Sequence, residues 1–268
     1  MVPIWRGHKR RPDGVELRFA LSHPVSLCEE AAMLRHRVTK FIGRTAISTV
    51  FLLVTAVGIQ EARAQDWASV ARYRDANRAL IPSDPQRVVF LGDSITEGWA
   101  GDALFRDNPH FLDRGISSQT APQMLVRFRF DVVILKPAVV HIMAGTNDVA
   151  RNTGVETPDE IMGYIVSIAQ LAHANGIKVI VASIPPAADF PWRRGLDPAP
   201  TIKALNARLK AYAASRGFIY ADYWSVLAST DGGMKPQYSG DGVHPNAAGY
   251  EAMRPVVRAA IAKAMRER

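Results

Sequence analysis

The sequence is poor in cysteine: its 268 residues contain a single one, Cys28. Residues 65–268 contain none, which excludes disulfides, a cysteine nucleophile and a thiolate metal site from that part of the chain. The same part of the chain also lacks His, Asp and Glu residues clustered with the spacing of metal ligands. We therefore expect no metal ion and no cofactor.

The chain also lacks runs of basic residues, although its formal net charge is +8. Residues 1–64 hold ten Lys or Arg against five Asp or Glu, whereas residues 65–268 hold 23 against 20. The excess of positive charge is therefore concentrated in residues 1–64. Residues 65–268 contain no basic stripe with interleaved aromatic residues. Nucleic acid is not expected as a partner.

Long apolar runs are absent as well. The longest candidate, residues 45–59, follows four basic residues and precedes the small-x-small pattern Ala62-Arg63-Ala64. This layout predicts a signal peptide at 33–64, cleaved after Ala64, and hence a periplasmic or secreted protein with no stable membrane anchor. A transmembrane anchor is the alternative, but fifteen residues fall short of the ~20 that span a bilayer. Residues 1–32 show no readable pattern and are interpreted as a mis-started extension.

From residue 87 onward, short Val/Ile-rich runs alternate with longer segments of helical period. Alternation of this kind predicts a three-layer α/β/α sandwich with a five-stranded parallel sheet in one domain, 65–268. The predicted strands are Arg87–Leu91, Phe111–Asp113, Ala138–Met143, Lys178–Ile184 and Phe218–Tyr223. The predicted helices are Ala68–Leu80, Gln119–Arg129, Pro158–Asn175, Pro200–Arg216 and Asn246–Met265.

In such sheets the ligand site lies beyond the carboxyl ends of the strands. Ser94 follows the first predicted strand, Gly115 the second and Asn147 the third, while Asp241 and His244 precede the last helix. The glycines around Ser94 lack the spacing of a phosphate-binding loop. Taken singly, a serine after a strand indicates only a turn or a helix N-cap.

Four sequence blocks occur in order: GDSI at 92–95, RGIS at 114–117, GTND at 145–148 and DGVHPN at 241–246. Together they resemble the signature blocks of the SGNH, or GDSL, hydrolase family over roughly residues 87–262. The resemblance implies a flavodoxin-like fold and a serine esterase or acylhydrolase. It implies Ser94 as nucleophile, His244 as base and Asp241 as its orienting partner. Ser94, Gly115 and Asn147 would form the oxyanion hole.

Three further histidines lie beyond the predicted cleavage site. His141 falls within a buried strand and is expected to be a satisfied core residue, and His173 falls near a helix C-terminus. His110 remains a competitor of His244. The second block also departs from the family pattern, because Ser118 stands where a glycine is common, so a stiffer loop or a smaller pocket is expected.

The segment 185–199 follows the fourth predicted strand and is long enough to form a rim over the site. Phe190 and Trp192 are candidates for stacking on a sugar ring, and Arg193 for meeting an acidic group. Asp93, beside the serine, is a further substrate-binding candidate. Loop packing and solvated charge are an equally good interpretation of the loop residues.

The expected substrate is a small-molecule or polysaccharide ester, with acetyl esters of carbohydrates as the first hypothesis. A lysophospholipase or thioesterase acting on lipids is the second. Acyl transfer to a sugar shares the acyl-enzyme and stays open. A non-catalytic glycan-binding module would have lost one or more catalytic residues, and all five candidates are present.

Overall fold

A computed structural model describes residues 66–80, 82 and 84–266 of the chain. The predicted extension at 1–32 and the predicted signal peptide at 33–64 lie outside these residues. In the described ranges, no helix combines the length and the apolar character needed to cross a bilayer.

The centre of the fold is a parallel sheet of five strands in the order β2-β1-β3-β4-β5. Gly92 at the end of β1 is level with Gly115 of β2 and Met143 of β3, so three strands end at one edge. This confirms the predicted α/β fold. The strands are β1 Val88–Gly92, β2 Phe111–Gly115, β3 Val139–Met143, β4 Lys178–Ala182 and β5 Ile219–Ala221.

Helices cover both faces of this sheet. The short helices are α1 Arg74–Arg78, α2 Ser94–Glu97, α3 Ala103–Arg106, α5 Thr146–Val149 and α8 Tyr223–Leu227. The long ones are α4 Ala121–Asp131, α6 Pro158–Ala174, α7 Pro198–Arg216 and α9 Ala247–Arg266. Single 3₁₀ turns occupy Val133–Leu135 and Pro236–Tyr238.

The side chains of β1 alternate between two hydrophobic cores. Val89 and Leu91 are buried with residues of α4, α6 and α7, whereas Val88 and Phe90 are buried with residues of α9 and α8. A strand that is apolar on both faces belongs in the interior of a parallel sheet. The three layers therefore follow from the continuous apolar run that marked this strand in the sequence.

Most boundaries shift by one or two residues, and two segments depart further from their predicted extent. The helix predicted over 68–80 is regular only at Arg74–Arg78, because Asp66 accepts from the N–H groups of Val70 and Ala71 and Ser69 has a φ of +53°. The strand predicted over 218–223 ends at 221, because Asp222 caps α8. In both places an aspartate side chain competes for backbone N–H groups.

Candidate active site

Ser94 is the first residue of α2, directly beyond the carboxyl end of β1. The turn between them is tight, since a Cβ added to Gly92 would lie 2.7 Å from Thr96 Cβ. Asp93 caps α2 by accepting from the Ile95 N–H at 2.9 Å. The short helix therefore presents the Ser94 hydroxyl, half-buried, at the edge of the sheet.

His244 connects Ser94 with Asp241 through its two ring nitrogens. Ser94 Oγ lies 2.9 Å from His244 Nε2, and His244 Nδ1 lies 2.6 Å from Asp241 Oδ2. A carboxylate only accepts hydrogen bonds, so Nδ1 carries the proton and Nε2 is left to accept from the serine hydroxyl. The arrangement is that of a serine with its general base and an orienting acid.

Asp241 is held in its ionised form. Burial would raise the pKa of this carboxyl, but hydrogen bonds from the His244 side chain and from the N–H groups of His244 and Val243 outweigh burial, and the pKa lies well below its usual range. The backbone donors are 2.8 Å and 2.9 Å from Asp241 Oδ1. A fixed negative charge therefore faces His244 Nδ1 and favours an imidazolium formed during proton transfer.

Asn147 lies in the short helix α5, which follows β3. Its side chain is buried, and its Nδ2 donates to the Gln119 carbonyl at 3.0 Å. An amide nitrogen carries two hydrogens, so one remains for an oxyanion. Asn147 therefore remains a candidate donor to the oxyanion.

Gly115 does not fit the predicted role of oxyanion donor. Its N–H donates to Asp113 Oδ1 at 2.7 Å, and its carbonyl accepts from the Tyr73 hydroxyl. The reason is local: an aspartate side chain bonds readily to the N–H two residues further on. What the position requires is the absence of a side chain, because an added Cβ would lie 2.1 Å from the Glu97 backbone nitrogen.

Ser118, noted in the sequence only as a departure from the family pattern, was not predicted to lie in the oxyanion hole. It is exposed and has a φ of +67°, a backbone conformation that glycine adopts most readily, which fits the glycine of the family pattern that this sequence resembles. Within the described chain, the N–H groups of Ser94 and Ser118 donate to no other residue. The missing second glycine was the available signal.

Two of the four predicted substrate contacts are wrong in this structure. Phe190 is fully buried in the core, so it cannot stack on a sugar ring. Asp93 is 2% exposed and its carboxylate is used as the cap of α2. Burial raises the pKa of Asp93 to about 6.

Trp192 and Arg193 remain accessible. The Trp192 side chain is 44% exposed, and its ring centroid lies 5.3 Å from Phe190 and 6.0 Å from His244. Arg193 is also exposed. The buried phenylalanine therefore supports a tryptophan that faces solvent beside the catalytic histidine.

The other histidines have separate environments. His110 Nδ1 pairs with Asp84 at 3.0 Å, away from Ser94, so it does not compete with His244. His141 Nε2 is 2.8 Å from the Tyr223 hydroxyl, and burial lowers its pKa to about 3. In the described ranges, no group of three or more His, Cys, Asp or Glu is arranged to hold a metal ion.

Comparison with known proteins gives a family match that includes strands β2 to β5 and the candidate active site. The profile of the GDSL-like lipase/acylhydrolase family matches residues 90–252. The chain is 46% identical to a GDSL-like lipase from Bacteroides thetaiotaomicron, with a TM-score of 0.71 over 74% of this chain and 98% of that one.

Two esterases are more distant. The chain is 32% identical over 121 residues to a multidomain esterase from Ruminococcus flavefaciens, a match that covers 44% of this chain and only 14% of that esterase. An acetylxylan esterase from Geobacillus stearothermophilus gives a TM-score of 0.54 over 68% of this chain and 96% of that one. Its identity is 19%, which shows a shared fold alone.

Proposed function

The chain belongs to the GDSL-like lipase/acylhydrolase family, and from this premise we propose that it hydrolyses short-chain esters, foremost acetyl esters of carbohydrates, through an acyl-enzyme. That it is an esterase or acylhydrolase follows from the family. The observation that carries the mechanism is the hydrogen-bonded series Ser94, His244 and Asp241 at the carboxyl edge of the sheet.

In the proposed reaction, Ser94 Oγ attacks the acyl carbonyl carbon while His244 Nε2 takes the hydroxyl proton. The same nitrogen then returns the proton to the departing alcohol, which leaves an acyl ester on Ser94. Water attacks this ester with His244 again as base, and the carboxylic acid is released. Asp241 stabilises the imidazolium in each half.

The negative charge on the tetrahedral intermediate needs donors that are already in place. We propose that the N–H groups of Ser94 and Ser118 and the second hydrogen of Asn147 Nδ2 supply them. These groups come from α2, from the loop after β2 and from α5, three segments that begin at neighbouring strand ends. Ser118 takes the place that the sequence had given to Gly115.

The carbohydrate part of the proposal rests on the rim. Trp192 offers an exposed aromatic face beside His244, and an aromatic ring suits the apolar face of a sugar. The chain also shares its fold with a protein named as an acetylxylan esterase and is similar over part of its length to a multidomain esterase. We further propose a periplasmic or secreted location, on the N-terminal pattern alone.

The experiment compares Ser94→Ala with the wild type on p-nitrophenyl acetate and in labelling by a fluorophosphonate. We expect turnover to fall roughly 10⁴-fold or more and labelling to vanish, because no other group replaces the nucleophile. The matched control is Ser167→Ala, a half-buried serine whose hydroxyl donates to the Gly163 carbonyl within α6, which should keep both activities. Wild-type turnover in Ser94→Ala would contradict the mechanism.

The substrate is tested separately with p-nitrophenyl esters of acetate, butyrate, octanoate and laurate, and with acetylated xylo-oligosaccharide. The acetyl-ester proposal expects kcat/KM to be highest for acetate and acetate to be released from the oligosaccharide. A preference for laurate would instead favour the lipid acylhydrolase.

A further inference from the structure

A chain of three side-chain hydrogen bonds runs from the exposed rim to the candidate oxyanion amide. Trp192 Nε1 donates to Asn152 Oδ1 at 3.0 Å, and Asn152 Nδ2 donates to Asn147 Oδ1 at 2.7 Å. Asn147 Nδ2 then donates to the Gln119 carbonyl at 3.0 Å. Asn152 is thus the only link between the rim and the amide in this series.

The direction of every bond in the series is determined at its two ends. The indole N–H of Trp192 can only donate, so the atom of Asn152 that faces it is the oxygen. The carbonyl of Gln119 can only accept, so the atom of Asn147 that faces it is the nitrogen. Both assignments leave Asn152 Nδ2 facing Asn147 Oδ1, a donor against an acceptor.

The backbone around Asn152 keeps it in this place. Its N–H donates to the Asn147 carbonyl at 3.0 Å, and the preceding Arg151 has a φ of +59°, which turns the chain back over α5. At the other end, the Gln119 side chain is held by Arg127 at 2.6 Å and by the Ala68 carbonyl at 2.7 Å. The amide of Asn147 therefore lies between two anchored partners.

We propose that Asn152 is a positioning residue for the oxyanion hole and that Trp192 holds it in position. This inference rests on the proposed function, because it assumes that Asn147 Nδ2 donates to the oxyanion. Asn152 Nδ2 donates to the oxygen of the Asn147 amide. The nitrogen of that amide is therefore directed towards Gln119 and the reacting carbonyl. In this proposal the Trp192 ring binds the alcohol part of the substrate. Its Nε1–H also fixes, through Asn152, the Asn147 donor that binds the acyl part.

The decisive variant is Asn152→Asp. Its carboxylate still accepts from Trp192 Nε1 but can no longer donate to Asn147 Oδ1. Because a charged acceptor attracts an amide N–H strongly, the Asn147 amide is expected to rotate and present its oxygen to the reacting carbonyl. We expect kcat on p-nitrophenyl acetate to fall about 10²-fold, close to the loss in Asn147→Ala, with KM within about threefold of wild type.

Trp192→Phe gives a second, independent readout. It keeps an aromatic ring on the rim and removes only the Nε1–H, so kcat should fall severalfold while KM for an acetylated xylo-oligosaccharide is kept. Trp192→Ala should raise that KM as well, because the ring itself is lost. The matched control is Asn175→Asp, an exposed asparagine at the end of α6, which should retain wild-type kcat and KM.

Asn147→Ala combined with Asn152→Asp distinguishes positioning from a general loss of stability. If Asn152 acts through Asn147, the double variant loses no more kcat than Asn147→Ala alone. Additive losses, or a folded Asn152→Asp with kcat within twofold of wild type, would overturn the inference. Should Asn152→Asp fail to fold, Trp192→Phe with unchanged kcat overturns it equally. Wild-type kcat in Asn147→Ala would instead refute the proposed oxyanion hole, and this inference with it.

Discussion

Asp148 and Glu156 form a pair of acids just beyond the candidate oxyanion residue. Asp148 is buried, and its Oδ1 accepts from the Ala121 N–H at the start of α4, at 2.8 Å. Burial, and then the charge of Glu156, raise the pKa of Asp148 to about 8. Burial also raises the pKa of Glu156. Folding therefore favours the protonated form of Asp148.

The sign of the resulting pH dependence follows from this shift. An acid whose pKa is raised on folding has its full stability below the unfolded value of about 3.9 and loses stability as pH rises through the folded value. We expect the melting temperature of Asp148→Asn to fall less than that of the wild type between about pH 5 and about pH 9. The asparagine still accepts from Ala121 but has no proton to lose.

Thermal unfolding at the two pH values measures this difference. Asp75→Asn, on the exposed side of α1, is the matched control and should follow the wild type. Parallel losses in wild type and Asp148→Asn would show that Asp148 is not the source of the pH dependence.

At the scale of single residues, the structure places side chains whose catalytic roles stay a prediction. Ser94, Asp241 and His244 are brought together as the blocks had indicated. Phe190 and Asp93 were misjudged because a sequence shows that a residue lies in a loop or beside a nucleophile but not which way its side chain points. Direction depends on packing, and both side chains face inward.

At the scale of elements, the alternation of apolar runs predicted every strand of the described sheet and the four long helices. Boundaries were less accurate where short polar side chains compete for the backbone. The helix expected from Ala68 is reduced to α1, and the last strand ends early at Asp222. The tight contact of β2 with α2 could not be predicted, because it depends on the register of Gly92 with Gly115.

This contact leads to a prediction for Gly115→Ala. The new Cβ would lie 2.1 Å from the Glu97 nitrogen and 2.8 Å from the Asp93 carbonyl oxygen, both backbone atoms, so α2 has to move. We expect the free energy of unfolding to fall by roughly 1–3 kcal/mol. Turnover should fall too, since α2 carries Ser94.

The matched control is the same substitution in another element. Gly163 lies in the middle of α6, and no heavy atom of the described residues outside that helix lies within 4 Å of an added Cβ. Gly163→Ala should raise the free energy of unfolding by about 0.5–1 kcal/mol, because alanine has the higher helix propensity. Denaturant unfolding and ester turnover of both variants provide the test, and equal effects would refute the role given to Gly115.

At the scale of the whole molecule, the segment before β1 is hydrogen-bonded to β2 and to the loop that follows β2. Tyr73 donates to the Gly115 carbonyl, and Asn77 Oδ1 accepts from Arg114 Nε and Nη2 at 2.9 Å and 2.6 Å. Gln119 donates to the carbonyl of Ala68. The sequence predicted a helix in this segment but gave no indication that the segment contributes to catalysis.

A chain that begins at Gln65, the proposed product of signal cleavage, keeps all of these contacts. One that begins at Asp84 removes Asn77 from the buried Arg114 guanidinium and leaves the side chain of Gln119 held by Arg127 alone. We expect the shorter chain to lose at least about 3 kcal/mol in the free energy of unfolding, because two hydrogen bonds from the charged Arg114 guanidinium are lost. Its turnover should fall as well, since Gln119 supports Asn147. Full stability and turnover in the chain from Asp84 would show that the segment only covers the domain, whereas N-terminal sequencing of exported protein decides whether Gln65 is its natural start.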